Sequence, residues 1–335
     1  MVGGTPELPR EIQLEVTGAC NLACTMCLVS YRPKVGKRQG ALEYERFQRI
    51  VDELPGLERL TLQGLGEPLL APRLVDMVAY AAARGIAVGF NTNAQLLTPE
   101  RSRQLVDAGV AWLHVSVDGA TAATYERIRS GARFARLERH VPALTAAADR
   151  RGGGRPAICL VFVAMRRNIR ELPGVVRLAA RWGVPSVRVQ NLSHSFDDTD
   201  PSGSYAEIRS YAAEEALFTA RDLGLARDIF DDARAVAADL GLALRLPRLD
   251  ARPAAEARSG RGCDWPFTSA YVTHTGAVQP CCMVMGSDRA TLGSVREQGF
   301  GEVWRGQAYR EFRRRLEGDD PPDVCRGCSL YRGLF

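Results

Sequence analysis

The stretch Cys20-Asn21-Leu22-Ala23-Cys24-Thr25-Met26-Cys27 sets three cysteines in C-x3-C-x2-C spacing, directly after a strand-like run, Ile12-Gln13-Leu14-Glu15-Val16. Three thiolates can hold three irons of a cubane cluster, because thiolate sulfur is the usual protein ligand of iron–sulfur centres. A fully ligated cluster uses four. The next cysteine in the chain is Cys159, so one iron is left without a nearby cysteine and can bind a small molecule. The residues alone leave a second reading open, a zinc knuckle, although closed structural zinc sites take four protein ligands.

The rest of the composition narrows the setting. A chain of 335 residues has room for one large domain and a smaller one. Its 46% hydrophobic and 25% charged content is that of an ordinary globular protein. No apolar run approaches the ~20 residues that cross a bilayer. The N-terminus lacks the basic-then-apolar layout of a secretory signal. The expectation is a cytoplasmic protein with no membrane partner. The net charge is +5, but only Lys34 and Lys37 are lysine, leaving 42 arginines among the 44 basic residues. That bias accompanies abundant Ala and Gly, so we expect no nucleic-acid partner. The densest basic run, Arg310 to Arg315, is expected to be a solvated helix face.

Nine cysteines are many for a chain without an export signal. In a reducing compartment clustered cysteines bind metal more often than they form disulfides. Cys159 stands alone in an apolar run and is expected in the core. The second group begins at Cys263. After twelve intervening residues comes Gly276, four more precede Cys281 and Cys282, and Cys325-Arg326-Gly327-Cys328 closes the set. The run Tyr271 to Val278 reads as a β-hairpin whose turn brings Cys263 and Cys281 together. A helix over Val295 to Leu316 then returns the chain to the CxxC pair. A structural zinc ribbon has the same outline.

Between the two groups strands alternate with helices. The strand readings are Ile12–Val16, Leu57–Leu62, Ile86–Phe90, Trp112–Val117, Ala157–Met165 and Ser186–Gln190. Helices are expected over Leu42–Leu54, Leu74–Ala83, from Thr98-Pro99 onward, and over Ile169–Trp182, with Thr98 as cap and Pro99 in the first turn. Such alternation implies a parallel sheet, with the site at the carboxyl ends of its strands. There Arg166, Asn168, Gln190, Asn191 and His194 are pocket candidates. His114 alternates with core positions and reads as structural. Two helices, Pro201–Leu223 and Ala226–Leu240, and a linker, Leu244–Arg261, follow.

Cys-Asn-Leu-Ala-Cys-Thr-Met-Cys resembles the signature of the radical S-adenosylmethionine (SAM) enzymes. One helix later, Gly64-Leu65-Gly66-Glu67-Pro68 resembles that family's Gly-Gly-Glu-Pro motif, with Leu65 inserted. The run Ser116-Val117-Asp118-Gly119 resembles the family's fourth strand end. The resemblance implies a partial (β/α)6 TIM-like barrel and a cluster held by Cys20, Cys24 and Cys27. Its open iron chelates SAM, and an electron splits the sulfonium to a 5′-deoxyadenosyl radical. It also implies cofactor contacts from Met26, Gly64, Gly66, Glu67, Asn93, Ser116 and Gln190, and an electron donor such as flavodoxin or ferredoxin.

The C-terminal pattern resembles the SPASM/twitch domains of the same family, in the shorter form. That implies a second 4Fe–4S cluster on Cys263, Cys281, Cys325 and Cys328. Cys282 is left over as bystander, alternative ligand or hydrogen-atom donor to a substrate radical. The expected division is 1–200 barrel, 201–260 helices and linker, and 261–335 auxiliary-cluster domain. Only 19 residues precede Cys20, leaving no room for the leader-binding domain of peptide-modifying relatives. The expected substrate is therefore a small sugar-, aminocyclitol- or nucleoside-like intermediate, changed by dehydrogenation or epimerisation. The rivals are a maturase of ribosomal peptides, by thioether formation or epimerisation, and a non-catalytic iron–sulfur or zinc protein.

Overall fold

A computed structural model describes residues 7–31, 40–152, 156–192, 203, 205–217, 220–249, 263–284, 286–328 and 330–331. Its strands in chain order are β1 (Glu11–Leu14), β2 (Ala23–Cys24), β3 (Arg59–Thr61), β4 (Ala87–Thr92), β5 (Trp112–Ser116), β6 (Arg129–Ser130), β7 (Ala157–Ala164), β8 (Ser186–Asn191), β9 (Ala243–Arg245), β10 (Ser269–Val272), β11 (Ala277–Gln279) and β12 (Gly293–Ser294). Ten of them form one sheet in the order β12-β11-β10-β1-β3-β4-β5-β7-β8-β9. From β10 through β9 every pairing is parallel. The sheet does not close on itself: β12 and β9 are its two edges. All six strand readings fall on strands of this sheet, as does the parallel architecture they implied.

The two faces follow the period of two that any strand imposes on its side chains. Leu60, Val88, Phe90, Leu113, Val115, Leu160, Phe162, Val187 and Val189 are buried and join one hydrophobic core. The covering helices bring apolar stripes to it, such as Phe47, Ile50 and Val51 of Tyr44–Asp52. Alternate positions, including Arg59, Thr61, Trp112, His114, Arg188 and Gln190, line a cavity on the other face. Gly89 lets that inner face close up, since a Cβ there would collide with the Trp112 ring and carbonyl. Helix starts follow local chemistry: the Thr98 hydroxyl accepts from the Arg101 N–H at 3.2 Å, with Pro99 in the first turn.

Four expectations need correction. Leu244 is not in a linker: Ala243–Arg245 forms β9, and Arg188 stands opposite Arg245 in its register. The two helices after β8 are Ala206–Glu215 and Ala220–Asp239, so Gly224 lies inside a helix rather than between two. The single helix over Val295–Leu316 is two, Phe300–Arg305 and Gln307–Glu317, divided at Gly306 in extended backbone. Arg313 is not solvated. It is 6% exposed, lies against the Trp304 and Tyr309 rings, and donates to the carbonyls of Pro266 and Trp304 at 2.7 and 2.9 Å. Cys159 is buried as expected. His194 and residues 250–262 lie outside the described residues. Among the described residues, no helix is long and apolar enough to cross a membrane.

The C-terminal hairpin extends the same sheet. β10 and β11 pair antiparallel around Gly276, whose φ of 92° only glycine adopts freely. β10 then runs parallel to β1, with Gln13 opposite Tyr271. The hairpin reading was correct, but nothing local told of its partner strand. The Phe300–Arg305 helix docks on the body, where the Trp304 indole N–H donates to the Glu7 carbonyl at 2.8 Å. The Phe300 N–H donates to Glu53 at 2.6 Å.

Candidate active site

The cysteine loop after β1 is held by its backbone. β2 and β6 form a two-residue antiparallel ribbon with Cys24 opposite Arg129, and the Thr25 N–H donates to the Ile128 carbonyl at 2.9 Å. Tyr31 donates to the Thr25 carbonyl at 2.7 Å. Tyr211 of the Ala206–Glu215 helix meets the Thr25 hydroxyl at 3.0 Å. Cys20, Cys24 and Cys27 thereby line one cavity of about 310 Å³, together with Met26, Gly64, Gly66, Glu67, Asn93 and Ser116. Nine residues separated by up to 96 positions in the chain (Ser116 against Cys20) thus share one wall system. Ile208, Tyr211 and Ala212 also line it, a contribution that no local pattern announced.

The glycine-rich loop sits against β1 too tightly for side chains. A Cβ on Gly64 would collide with Glu15, and one on Gly66 with the Thr17 and Ala19 carbonyls. Glu67 is 3% exposed. Its carboxylate accepts from the Thr92 hydroxyl at 2.6 Å, the Asn93 N–H at 2.8 Å and the Leu69 N–H at 3.2 Å. Burial raises its pKa against those bonds. Glu67 therefore braces the loop to the end of β4. Asn93 ties the same corner to the cysteine loop, donating to the Asn21 side-chain oxygen at 3.0 Å. Ala94 adopts φ 56° there.

Two buried carboxylates, Glu15 and Asp118, stabilise this mouth. Glu15 is 2% exposed. It accepts from the Leu65 N–H at 3.1 Å, the Tyr271 hydroxyl at 2.7 Å and His274 Nδ1 at 2.6 Å. Burial raises its pKa, but the bonds from His274, Leu65 and Tyr271 outweigh burial and leave it lowered. One side chain so joins β1, the glycine loop and the C-terminal hairpin. Asp118, at the end of β5, pairs with Arg129 at 2.6 Å, both deeply buried. Arg129 in turn reaches Cys24 Sγ at 3.9 Å.

A second cavity of about 380 Å³ adjoins the first. Met26, Gln63, Gly64, Leu65, Asn91, Val163 and Leu192 line both. Its own lining includes Gln190, Asn191, His114, Tyr271 and Cys282. Gln190 thus stands in this second space rather than on the wall with the three cysteines. Asn191 donates to the Arg248 carbonyl at 3.0 Å. Arg166 and Asn168 belong to neither wall. Arg166 pairs with Asp222 at 2.6 Å, and the Asn168 amide donates to the Asp118 and Val163 carbonyls at 3.0 and 2.9 Å. His114, which alternates with the core positions Leu113 and Val115, lines this cavity, with Nδ1 3.0 Å from Asn91 Oδ1.

The five C-terminal cysteines are brought together. Burial, joined by the fields of Cys282, Cys328, Cys263 and Cys325, drives the Cys281 thiol well above its ordinary value. Burial likewise pushes Cys282 up to about 12 and Cys263 to about 11. At the N-terminal loop, burial and the neighbouring Cys24 push Cys27 up to about 12. Thiols so placed stay protonated unless a strong positive centre joins them, which bound iron supplies. Among the described residues no three donors converge on a single metal ion. A cubane does not need them to, since each thiolate ligates a different iron. Both cysteine sets fit iron–sulfur ligation on these grounds.

A parallel α/β sheet with a cysteine-lined cavity at its strand ends defines a class of metallocluster protein, and comparison with known proteins places it. Residues 14–179 match the radical SAM superfamily model, and residues 263–329 match the SPASM iron–sulfur cluster-binding domain model. The chain belongs to the radical SAM superfamily and carries a SPASM domain. Its cofactors are SAM and 4Fe–4S clusters, one SAM-binding and one auxiliary. It is 26% identical to the tungsten-containing aldehyde ferredoxin oxidoreductase cofactor-modifying protein of Pyrococcus furiosus, over 96% of this chain and 87% of that one. It is 29% identical to mycofactocin maturase MftC of Mycobacterium ulcerans, over 97% and 81%. The fold matches Streptococcus suis SuiB bound to precursor peptide SuiA, with a TM-score of 0.71, 15% identity, and coverage of 97% and 71%.

Proposed function

We propose that the chain abstracts a hydrogen atom from a small polar molecule seated in the second cavity. The contiguity of the two cavities carries this reading: seven residues line both, with the cysteine triad on one side and Cys282 on the other. In this reading Cys20, Cys24 and Cys27 hold the SAM-binding cluster, and bound SAM supplies a 5′-deoxyadenosyl radical when reduced by a donor such as flavodoxin or ferredoxin. The Gly64 and Gly66 backbone, Met26, Asn93 and Ser116 bound the cofactor's space. Glu67 positions that loop through Thr92, Asn93 and Leu69. The covering helix with Ile208, Tyr211 and Ala212 excludes water from a reactive radical.

Cys263, Cys281, Cys325 and Cys328 hold the auxiliary cluster, within a unit spanning 261–335 that follows the barrel of 1–200 and the segment 201–260. Cys282 faces the substrate space and gives its S–H hydrogen to the substrate radical. The resulting thiyl is restored by one electron from the donor and one proton. The reaction class is then epimerisation; a dehydrogenation leaves Cys282 unused. A volume of about 380 Å³ is at the small-molecule end of ligand pockets.

A maturase reading is the alternative, favoured by the 29% identity with mycofactocin maturase MftC. One assay separates them. The reduced protein is given SAM and either the small-molecule or the peptide fraction of a uniformly deuterated cell extract. Deuterium in 5′-deoxyadenosine from the small-molecule fraction supports the first reading. Deuterium from the peptide fraction alone overturns it.

A further inference from the structure

The second cavity has a floor that the hydrogen-abstraction step does not use. Arg59 opens β3, Trp112 opens β5 and Arg188 lies midway along β8, so all three stand below the strand ends. All line the cavity, with His114 among them. None of the eighteen lining residues is Asp or Glu. Among the described residues, neither Arg59 nor Arg188 forms an ion pair. Their charges act on each other and on His114, and Arg245 adds a third like charge beside Arg188.

The neighbouring carboxylates are accounted for. Glu15 is engaged by His274, Tyr271 and Leu65. Glu11 lies opposite Arg59 in the β1–β3 register, but makes no ion pair with it and does not line the cavity. Arg59 is satisfied instead by the Trp112 face, 4.8 Å from its centroid. Among the described residues the buried Trp112 indole N–H has no partner. Like charges collected in a partly buried space, with no counter-ion, are unfavourable to the empty protein. A planar guanidinium recovers that cost best on a bidentate oxyanion, carboxylate or phosphate.

We propose that Arg188 and Arg59 bind an oxyanion of the substrate, a carboxylate or a phosphate ester, at the floor of the second cavity. Anchored there, the substrate extends toward the residues shared with the cysteine-lined cavity, and its far end meets the radical. Gln190, on the same inner face as Arg188, lies beside its path. This rests on the reading that substrate occupies the second cavity, and it sets the substrate's chemistry: neutral sugars and aminocyclitols without an acidic group are excluded.

The test is titration calorimetry of the cluster-loaded full chain at low ionic strength, with inorganic phosphate, acetate and neutral glycerol as probes. The expected result is a single oxyanion site that ignores glycerol. Arg188→Gln and Arg59→Gln each weaken it at least tenfold, while Arg177→Gln on an exposed helix face leaves it unchanged. The stronger of phosphate and acetate identifies the group. Should Arg188→Gln fail to fold, Arg188→Lys, which keeps the charge but not the fork, is expected to weaken binding by less than a tenfold loss. Equal binding by all variants, or no oxyanion binding by the wild type, overturns the proposal. Measuring 5′-deoxyadenosine from the same protein preparations, reduced and given SAM with the small-molecule extract fraction, keeps the two questions apart. Its formation without oxyanion binding sinks the anchor alone, and its absence from the wild type sinks the proposed function.

Discussion

The two cysteine sets of this chain are built on opposite principles. The N-terminal three line a cavity and are held from behind by backbone bonds to Ile128 and by the β2–β6 ribbon. Their surroundings keep space in front of them. The C-terminal five are folded in on themselves: Cys281 and Cys325 pack on a small core of Val284, Phe312 and Val324, and each thiol's charge is felt by its neighbours. One set has fewer donors than a closed cluster uses, and the other has one more. The contrast separates a set with open space before it from a set closed on itself, and Cys282 is where the second set borders the second cavity.

Breaking the first set has the largest expected effect. Cys24→Ala removes the thiol that Arg129 reaches. Iron content is expected to fall from roughly eight to roughly four per chain, as one cubane of two is lost, with 5′-deoxyadenosine formation below detection. Unchanged iron would mean that the triad is not a cluster site. Within the second set the sharper comparison is between adjacent residues. Cys281→Ala is expected to lose the auxiliary iron. Cys282→Ala is expected to retain all iron and SAM cleavage while net product stalls. Normal product from Cys282→Ala would remove it from the reaction.

The link between the two regions is the next test. Glu15→Ala leaves His274, Tyr271 and the Leu65 N–H without their shared acceptor. Losing one member of such a buried polar group costs about 3 kcal/mol. Urea unfolding should show that loss, and SAM cleavage should decline as the glycine loop loosens. A variant as stable as the wild type would show that the two regions are not coupled through this side chain.

The smallest effect is a pH dependence in the second cavity. Burial, then the charges of Arg188 and Arg59, push His114 down to about 4 from an ordinary 6.5. The unfolded chain takes up a proton below 6.5 that the folded chain refuses. Stability is therefore constant above 6.5 and is lost as pH falls from 6.5 to about 4. Urea midpoints of His114→Gln should fall less over that interval than those of the wild type. Parallel profiles would contradict the assignment.

How much of this could be read beforehand follows from range along the chain. The cysteine loop, the glycine loop and the six strands are local patterns, and each was legible in a short window. Glu15 and His274 lie 259 positions apart, so no window contains both. The pairing of β10 with β1 has the same character. Arg313 was misread because a charge run predicts solvent. Only the docked Trp304 and Tyr309 rings and the Pro266 and Trp304 carbonyls make its burial tolerable. That His114 borders a cavity was not legible, because alternation tells which face a side chain is on, not whether that face is filled.

The claim on which the account stands is that the N-terminal cluster offers SAM an unligated iron. The direct measurement is electron paramagnetic resonance of the anaerobically reduced Cys281→Ala protein, which retains that cluster alone, with and without SAM. The account predicts that SAM changes the g values of the signal. A spectrum indifferent to saturating SAM would contradict it.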